Sequence, residues 1–275
     1  MFPRPIQPAE FGWIRDFLQS RTGITLNDGK QALVMGRLEK RLRKRGMQSY
    51  SDYFALLGHP AHKDETQLAI DLLTTNETCF FREPGHFDYL QRVILPQLPT
   101  SRTVRIWSAA SSSGEEAYTI AMAMAETCRS GLWEVLGSDI SATVLERAQR
   151  ALYPMSAAER IPAALLKKYC LKGKDEFDDF FLIDSALRTH VRFQAVNLVE
   201  ALPDIGLFDV IFLRNVMIYF DVETKKRLVR RLSEKLCPGG YLMVSHAETL
   251  NGLQQTLQLV CPSVYRLKES GGDHV

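Results

Sequence analysis

The sequence predicts an α/β fold, a doubly wound Rossmann-like sheet of seven strands that follows an N-terminal helical domain. Three observations support this prediction. Strand and helix patterns alternate from residue 104 onwards, as in a parallel sheet with right-handed crossovers. Residues 8–72 show only the helical spacing of apolar side chains. Residues 154–190 interrupt the alternation, which indicates a small inserted α+β subdomain.

The helical domain is predicted to span residues 1–72. Gly23 and Gly46 are expected to end its first two helices, because glycine adopts the left-handed backbone of a helix C-terminus at little cost. Ser51 is the expected N-cap of the third helix. The predicted helical segments cover residues 8–21, the residues around 34–42, residues 51–57 and residues 68–73.

Residues 73–83 are polar, then aromatic, then charged, and they show no helical period. We interpret them as a linker into the second domain, residues 84–275. The predicted strands of that domain are 104–109, 134–140, 191–196, 208–213, 241–245, 257–260 and 263–267, with a turn at Pro238-Gly239-Gly240 before the fifth. Its predicted helices are 87–95, 114–128, 142–151 and 222–236, and the insertion combines a helix at 162–169 with strand candidates at 180–183 and 189–193.

Composition excludes several classes of protein. No apolar run reaches the roughly 18–20 residues that span a bilayer, and the N-terminus lacks the apolar core of a secretory signal, so we expect a cytoplasmic protein without membrane insertion. The 5 cysteines and 6 histidines are scattered without metal-ligand spacing, which predicts free thiols and no metal. The net charge of +2 is too modest to predict nucleic-acid binding.

The segment WSAASSSGEE, residues 107–116, follows a strand and opens a helix. Small side chains there allow a ligand to approach the backbone, and free amides at a helix N-terminus suit a carboxylate. Only Gly114 is a glycine, so the segment is not a GxGxxG motif. A tight turn without a ligand remains the alternative.

Asp139 lies at the end of a predicted strand, and Asn197 directly follows another. A carboxylate at the end of the second strand commonly accepts hydrogen bonds from ribose hydroxyls, and the alternative for Asp139 is an N-cap of the next helix. The amide of Asn197 offers both donors and an acceptor to an adenine edge. A plain turn residue is the equal alternative for Asn197.

The segment FDVIFLRNVMIYFD, residues 208–221, runs from a near-continuous apolar strand into Arg214, Asn215 and Tyr219. Ligands of open α/β sheets bind beyond the carboxyl ends of the strands, so these polar residues are site candidates by position. For Tyr219 the alternative is a packed ring whose hydroxyl is satisfied elsewhere.

The segment RLEKRLRKR, residues 37–45, carries six basic residues and one acid. It belongs to a part of the chain, residues 1–72, with 11 Lys and Arg against 8 Asp and Glu. The functional interpretation is a docking face for an acidic partner, and the alternative is an ordinary solvated surface. No aromatic residues interleave with these charges, which disfavours base stacking.

Taken in order, the segments LLTTNETCFFRE, RIWSAASSSGEEAYTIAM, SDIS, VNL and FDVIFLRNVMIYFD resemble the CheR-type chemotaxis receptor methyltransferases. The resemblance extends over nearly the whole chain. It implies transfer of a methyl group from S-adenosylmethionine to glutamate side chains on the cytoplasmic domains of methyl-accepting chemoreceptors, with release of S-adenosylhomocysteine. A regulatory protein is a further expected partner, and we expect a monomer.

The resemblance also implies roles for individual residues. Arg82 and Tyr219 match positions near the transferred methyl group. The basic helix matches the receptor-facing surface, through Arg37, Lys40, Arg41, Lys44 and Arg45. The acidic loop at residues 172–179, with the single glycine Gly173, departs from members whose insertion binds a receptor C-terminal peptide. The cofactor contacts implied are Asn76, Thr78, Arg82, Glu115, Asp139, Asn197, Leu198, Leu213, Arg214 and Asn215.

This chemistry agrees with the lack of a catalytic dyad in the sequence. Displacement at a sulfonium releases a neutral leaving group, and a glutamate carboxylate is already ionised near neutral pH. The protein therefore needs mainly to position and desolvate the reacting groups. A non-catalytic module that binds S-adenosylmethionine and a methyltransferase of nucleic acids or small molecules are the competing hypotheses.

Overall fold

The computed structural model describes residues 3–128 and 130–268. Its N-terminal part is helical, as predicted. Ser49, not Ser51, caps the third helix: the Ser49 hydroxyl accepts a hydrogen bond from the Asp52 amide at 3.2 Å. The helices are α1 Pro8–Thr22, α2 Gln31–Lys44, α3 Tyr50–Leu57 and α4 Lys63–Leu73.

The helices of this domain enclose a core of their own. Ile14 and Leu18 of α1 are fully buried, and so are Val34, Leu38 and Leu42 of α2. The spacing of four residues between the α2 positions places them on one stripe of the helix. The opposite stripe of α2 is therefore free to carry the basic residues.

The next helix differs from the prediction. It begins at Gly85, two residues before the predicted start, as α5 Gly85–Tyr89, and it continues through a π-helical turn, Leu90–Ile94, and a 3-10 turn, Leu95–Gln97. Pro96 lies in that last turn and has no amide hydrogen to bond the carbonyl four residues earlier. The helical path therefore ends within this turn, at Gln97.

The strands of the second domain are β1 Val104–Ala109, β2 Trp133–Asp139, β3 Leu152–Pro154, β4 Cys170–Lys172, β5 Phe180–Ile183, β6 Val191–Ala195, β7 Phe208–Leu213, β8 Leu236–Val244, β9 Leu257–Cys261 and β10 Val264–Leu267. The predicted seven-stranded sheet is confirmed, with the order β6-β2-β1-β7-β8-β10-β9. Its first five strands are parallel, and β10 runs antiparallel to both β8 and β9. The remaining helices are α6 Glu115–Thr127, α7 Ala142–Arg150, α8 Ala163–Tyr169, α9 Ser185–Arg188 and α10 Val222–Ser233.

The predicted turn at Pro238-Gly239-Gly240 is wrong, because these residues lie within β8. The pairing of β8 with β7 shifts register along this stretch, from Phe208 opposite Leu236 to Val210 opposite Tyr241. Gly240 permits the close approach of the strands: a Cβ there would lie 3.1 Å from the Asp209 carbonyl oxygen. Residues with the composition of a turn thus form an irregularly paired part of β8.

The inserted subdomain is a three-stranded antiparallel sheet of order β3-β5-β4. It begins at Leu152, slightly before the predicted boundary, and the strand candidate at 189–193 instead forms the start of β6 in the main sheet. Tyr153 and Phe181 join it to the linker, since the Phe80 ring meets the Tyr153 ring edge-on at 4.9 Å between centroids. The insertion and the linker therefore share one core.

The helical domain packs against the end of the main sheet through polar contacts. The Gln19 amide donates to the Asp221 carboxylate at 3.2 Å, and the Gln67 amide donates to the Ile140 carbonyl at 2.9 Å. The Thr143 hydroxyl donates to Asp71 at 2.7 Å. These bonds hold the two domains on either side of one cleft.

Candidate cofactor and substrate cleft

The cleft lies beyond the carboxyl ends of β1, β2 and β7 and is closed from the other side by the helical domain and the linker. The empty space between its walls, including solvent at the open mouth, is about 1220 Å³. Among the residues predicted from the sequence, those that line it are Arg37, Asn76, Thr78, Arg82, Asp139, Asn197, Leu198, Arg214, Asn215 and Tyr219.

The loop after β1 has the backbone of a glycine-rich loop although it contains one glycine. Ala110, Ser112 and Gly114 have φ values of 77°, 49° and 96°. Left-handed backbone at non-glycine residues is uncommon and costly, and it tends to cluster at functional sites. The Ser112 hydroxyl donates to the Asn76 carbonyl at 2.8 Å, which ties this loop to the linker.

Asp139 lies on the cleft floor and is 8% exposed. One carboxylate oxygen accepts the Ser112 amide and the other accepts the Ser141 amide, both at 3.0 Å. Burial raises the pKa of Asp139, against the effect of these two hydrogen bonds. The Ser141 hydroxyl accepts the Val144 amide and caps α7. Asp139 is therefore not needed as the cap of that helix, and its carboxylate has lone pairs left for a ligand.

Asn197 lines the cleft, but its amide is already engaged. The amide nitrogen donates to the Arg21 carbonyl at 2.8 Å and to the Glu200 carboxylate at 3.0 Å, and its oxygen accepts the Val199 amide at 3.2 Å. Both N–H groups are thus used to hold a turn and to join the two domains. A ligand contact by Asn197 stays a prediction, for a side chain that also holds this turn.

The two adjacent glutamates of α6 face different surroundings. Glu115 does not line the cleft; its carboxylate accepts the Ser113 hydroxyl at 2.7 Å, and burial raises its pKa. Glu116, which sequence reasoning passed over, does line the cleft and accepts the Ser108 hydroxyl at 2.7 Å. Neighbouring residues of a helix point about 100° apart, so only one of the pair can face the ligand space.

The linker reaches the cleft as an irregular segment. Arg82 is half-buried and donates to the Glu77 carbonyl at 3.1 Å. Phe81 and Glu83, on either side of it, have φ values of 51° and 56°. This backbone departs from helix and strand geometry, and it brings the Arg82 side chain into the cleft from the linker.

At the end of β7 the residues divide by environment. Leu213 is fully buried and does not line the cleft, whereas Asn215 lines it with a left-handed φ of 58°. The Tyr219 carbonyl accepts the Thr25 amide at 2.9 Å. Within the described residues no hydrogen bond is made by the Tyr219 hydroxyl, which leaves that group available to a ligand.

Part of the cleft wall was not predicted. Thr22, the last residue of α1, and Ile24, Thr25 and Leu26 after it line the cleft together with residues at the start of α2. The Thr22-Gly23 pair indicates a helix end in the sequence and gives no sign of a ligand. Apolar side chains placed directly after a helix stop were the one available signal.

The basic helix α2 has two kinds of basic residue. Arg41 and Arg45 both form ion pairs with Glu65, whose side chain is 1% exposed. The two guanidinium groups and the Tyr53 hydroxyl lower the pKa of Glu65 to about 2. Arg41 and Arg45 thus have a structural partner inside the helical domain.

The other basic residues of α2 face outward or toward the linker. Lys40 and Lys44 are exposed. Arg37 donates to the carbonyl oxygens of Leu73 and Thr74, at 2.7 and 2.9 Å, and so fixes the start of the linker. Arg37 therefore connects the basic helix to the cleft wall.

A cluster of Glu83, His86 and His246 lies behind the cleft, with one ligand-type atom from each residue within 4.8 Å of the others. The imidazole rings of His86 and His246 lie 4.7 Å apart between centroids, with their planes tilted by 33°. Burial and the nearby Arg214 lower the pKa of His86 to about 4. Arg214 also lies 3.2 Å from the Glu83 carboxylate and compensates its charge, so the geometry is that of an ion-pair network.

Searched over residues 3–128 and 130–268, the structure has no helix of the length and apolarity needed to cross a bilayer.

Two family models match the chain. Residues 9–74 match the model described as "CheR methyltransferase, all-alpha domain", and residues 76–265 match "CheR methyltransferase, SAM binding domain". The two matched ranges correspond to the helical domain and to the linker with the α/β domain. They meet at residue 75, at the wall of the cleft.

Several curated proteins are similar over most of their length. A chemotaxis protein methyltransferase of Escherichia coli (strain K12) is 36% identical over 96% of this chain and 92% of its own. Chemotaxis protein methyltransferase 2 of Pseudomonas aeruginosa is 39% identical over 93% of this chain and 92% of its own. Among solved structures, the N-methyltransferase NodS from Bradyrhizobium japonicum WM9 aligns with a TM-score of 0.40 at 15% identity, over 68% of this chain and 97% of its own, which is too weak to support an inference about function.

Proposed function

Because this chain belongs to the CheR methyltransferase family, we propose that it transfers the methyl group of S-adenosylmethionine to glutamate side chains of chemoreceptors. Membership of the family makes S-adenosylmethionine-dependent methylation in chemotaxis adaptation the activity of the protein. The acceptor residue, the individual site residues and the docking surface are the content of the proposal.

One observation carries the proposal: a single cleft brings together Asp139, Arg82 and Tyr219 from three separate parts of the chain. Asp139 offers buried acceptor lone pairs, Arg82 a cation and Tyr219 an uncommitted hydroxyl. A nucleoside cofactor and a carboxylate substrate need these groups in one place.

The cleft fits S-adenosylmethionine by the chemistry of its lining. Asp139 would accept hydrogen bonds from the ribose hydroxyls, and the apolar side chains of Ile140, Val196 and Leu198 would contact the adenine. The amides at the start of α6 would hold the carboxylate of the methionyl part. We propose Asn76, Thr78 and Asn215 as further contacts because their side chains line the same space.

When bound, the cofactor supplies an electrophilic methyl group on a sulfonium that departs as a neutral thioether. A substrate glutamate is ionised near neutral pH and requires no base. Arg82 would pair with that carboxylate and orient it, and the Tyr219 hydroxyl would align it beside the methyl group. The helical domain closes over the cleft and would exclude water from the reacting groups.

The docking surface proposed for the receptor begins at the cleft. Leu33, Arg37, Lys40 and Lys44 are spaced i, i+4, i+7 and i+11, which places them on one stripe of α2. The first two line the cleft, and the two lysines are exposed farther along. At about 1.5 Å per residue the stripe is some 16 Å long and continues about 10 Å beyond Arg37, enough to follow an acidic receptor helix.

Other parts of the proposal follow from this acceptor. A protein that modifies the cytoplasmic domain of a receptor acts in the cytoplasm, and a monomer suffices, since the cleft is formed by one chain.

The test is transfer of labelled methyl from S-adenosylmethionine to purified chemoreceptor cytoplasmic domains, with RNA and DNA as parallel acceptors. We expect base-labile label on receptor glutamates, because carboxyl methyl esters hydrolyse in base. Asp139→Ala, which removes the ribose acceptor, should abolish labelling. Label that is stable to base, or that appears on nucleic acid alone, would overturn the proposed acceptor.

A further inference from the structure

Arg214 lies on the cleft wall, but its guanidinium points into the protein. Its side chain is 1% exposed, and Nη1 lies 2.9 Å from the Glu116 carboxylate. Nη2 donates to the Arg82 carbonyl and lies 3.2 Å from the Glu83 carboxylate. The guanidinium also lies 5.6 Å from the centre of the Phe87 ring. Its contacts therefore run to the linker and to α6.

The linker segment that Arg214 holds has a backbone that it would not adopt alone. Phe81 and Glu83 are both left-handed, with Arg82 between them. Strained backbone persists only where surrounding contacts determine it. Two sets of contacts do so here. The Phe81 amide donates to the Thr119 hydroxyl at 3.1 Å, and Arg214 donates to the Arg82 carbonyl and pairs with the Glu83 carboxylate.

The charges explain why an arginine is suited to this position. Two carboxylates, Glu83 and Glu116, lie on either side of the guanidinium, and its planar fork reaches both together with a carbonyl oxygen. A lysine is also cationic, but its single ammonium group cannot reproduce that fork. His86 adds no competing charge, since its pKa is lowered to about 4.

We propose that Arg214 is a positioning residue for Arg82: it fixes the main chain of the linker at Arg82, and so sets where the Arg82 guanidinium meets the substrate carboxylate. This inference rests on the role proposed above for Arg82. It differs from a direct cofactor contact, in which the guanidinium of Arg214 would touch the ligand.

The experiment compares Arg214→Lys, Arg82→Ala and the double variant in the full-length protein. We expect Arg214→Lys to lower kcat on the order of 10²-fold while the Kd for S-adenosylmethionine, measured by calorimetry without receptor, changes less than about 3-fold. In the Arg82→Ala background, Arg214→Lys should change kcat by less than about 2-fold, because the side chain that it positions is absent. A parallel rise in Kd, or losses that multiply in the double variant, would overturn the proposal.

Arg102→Lys is the matched control. Arg102 also pairs with a buried carboxylate, Asp209, at the other end of β7, so it tests an arginine–carboxylate pair away from the cleft. Because the Arg102 side chain is 45% exposed, we expect a smaller loss of stability than in Arg214→Lys and an unchanged kcat. If this variant lost as much activity as Arg214→Lys, general destabilisation would explain both.

A second readout does not depend on activity. Amide hydrogen exchange at Phe81 should speed up in Arg214→Lys and remain unchanged in Arg102→Lys, because only the first substitution releases the linker. If the wild-type protein labelled no receptor, the proposed acceptor would be wrong, and exchange at Phe81 would still decide whether Arg214 holds the linker. Unchanged exchange would overturn that role.

Discussion

Gly23 lies where the helical domain packs against the α/β domain, and its lack of a side chain permits that close contact. Gly23 ends α1 with a φ of 73°, and its amide donates to the Gln19 carbonyl at 2.8 Å. A Cβ at this position would lie 2.5 Å from a Val199 methyl carbon and 3.3 Å from the Phe220 ring. Gly23→Ala must therefore move either Val199 or the cleft wall that follows Gly23.

The size of the effect can be worked from a control. Gly46 has a nearly identical φ of 68°, and a Cβ there meets no atom within 4 Å. A left-handed alanine costs roughly 1–2 kcal/mol, of which about 0.4–1 kcal/mol is offset by the stiffer unfolded chain. Gly46→Ala should thus lose about 1 kcal/mol of unfolding free energy. Gly23→Ala should lose a further 1–3 kcal/mol or so from overpacking.

The activity assay shows which way the strain is relieved. Thr25 belongs to the segment that would shift, and its amide donates to the Tyr219 carbonyl. The residues next to Thr25 line the cleft. If that segment moves, the KM for S-adenosylmethionine should rise on the order of 10-fold, the equivalent of about 1.4 kcal/mol of binding. Urea unfolding and initial-rate measurements on both alanine variants provide the comparison.

A rescue variant isolates the contact. Val199→Ala removes the methyl carbon that lies 2.5 Å from the added Cβ, so Gly23→Ala with Val199→Ala should recover most of the lost cofactor affinity. The reasoning would be refuted if Gly23→Ala and Gly46→Ala lost the same stability and kept the same KM.

Four further outcomes are expected. Tyr219→Phe should lower kcat about 10- to 100-fold with stability unchanged, whereas full turnover would remove its hydroxyl from the reaction. Lys40→Glu combined with Lys44→Glu should raise the KM for receptor and abolish its salt dependence, measured between low and physiological salt, while the Kd for S-adenosylmethionine stays constant. Glu65→Gln should lower the free energy of unfolding, measured in urea at neutral pH, by roughly 3 kcal/mol. Because the pKa of Glu65 falls from 4.5 to about 2 on folding, the stability that its carboxylate contributes is present above pH 4.5 and is lost as the pH falls to about 2. The pKa of His86 falls from 6.5 to about 4 on folding, so the unfolded chain binds the extra proton. The free energy of unfolding should therefore drop as the pH falls from 6.5 to about 4. His86→Leu should flatten this pH dependence, and an unchanged pH dependence would contradict its attribution to His86.

Much of the architecture could be predicted because its causes are local. The apolar run of β7 and the alternation of strands and helices from β1 onward follow from periodicity along a few residues. Polar residues directly after strands were expected at the cleft because the carboxyl ends of parallel strands share one edge of the sheet. Asp139 and Asn215 lie there for that reason.

Local patterns were misleading where a tertiary contact decided the outcome. Pro238-Gly239-Gly240 has the composition of a turn, yet it runs within β8, where Gly240 without a side chain can lie close to Asp209. Asn197 has an amide suited to a ligand, but Arg21 of the other domain takes one of its N–H groups. Neither partner could be identified from neighbouring residues in the chain.

The sequence by itself determined the elements, their order and the stretches of chain that reach the cleft, since these depend on short-range periodicity and on strand direction. The tertiary structure alone decided which side chain of a stretch faces the ligand space. Glu116 lines the cleft and Glu115 does not, and the guanidinium of Arg214 points to the linker. Such choices depend on packing between residues as distant as 82 and 214, because a side chain's partner is set by the surface it meets and not by its neighbours in sequence.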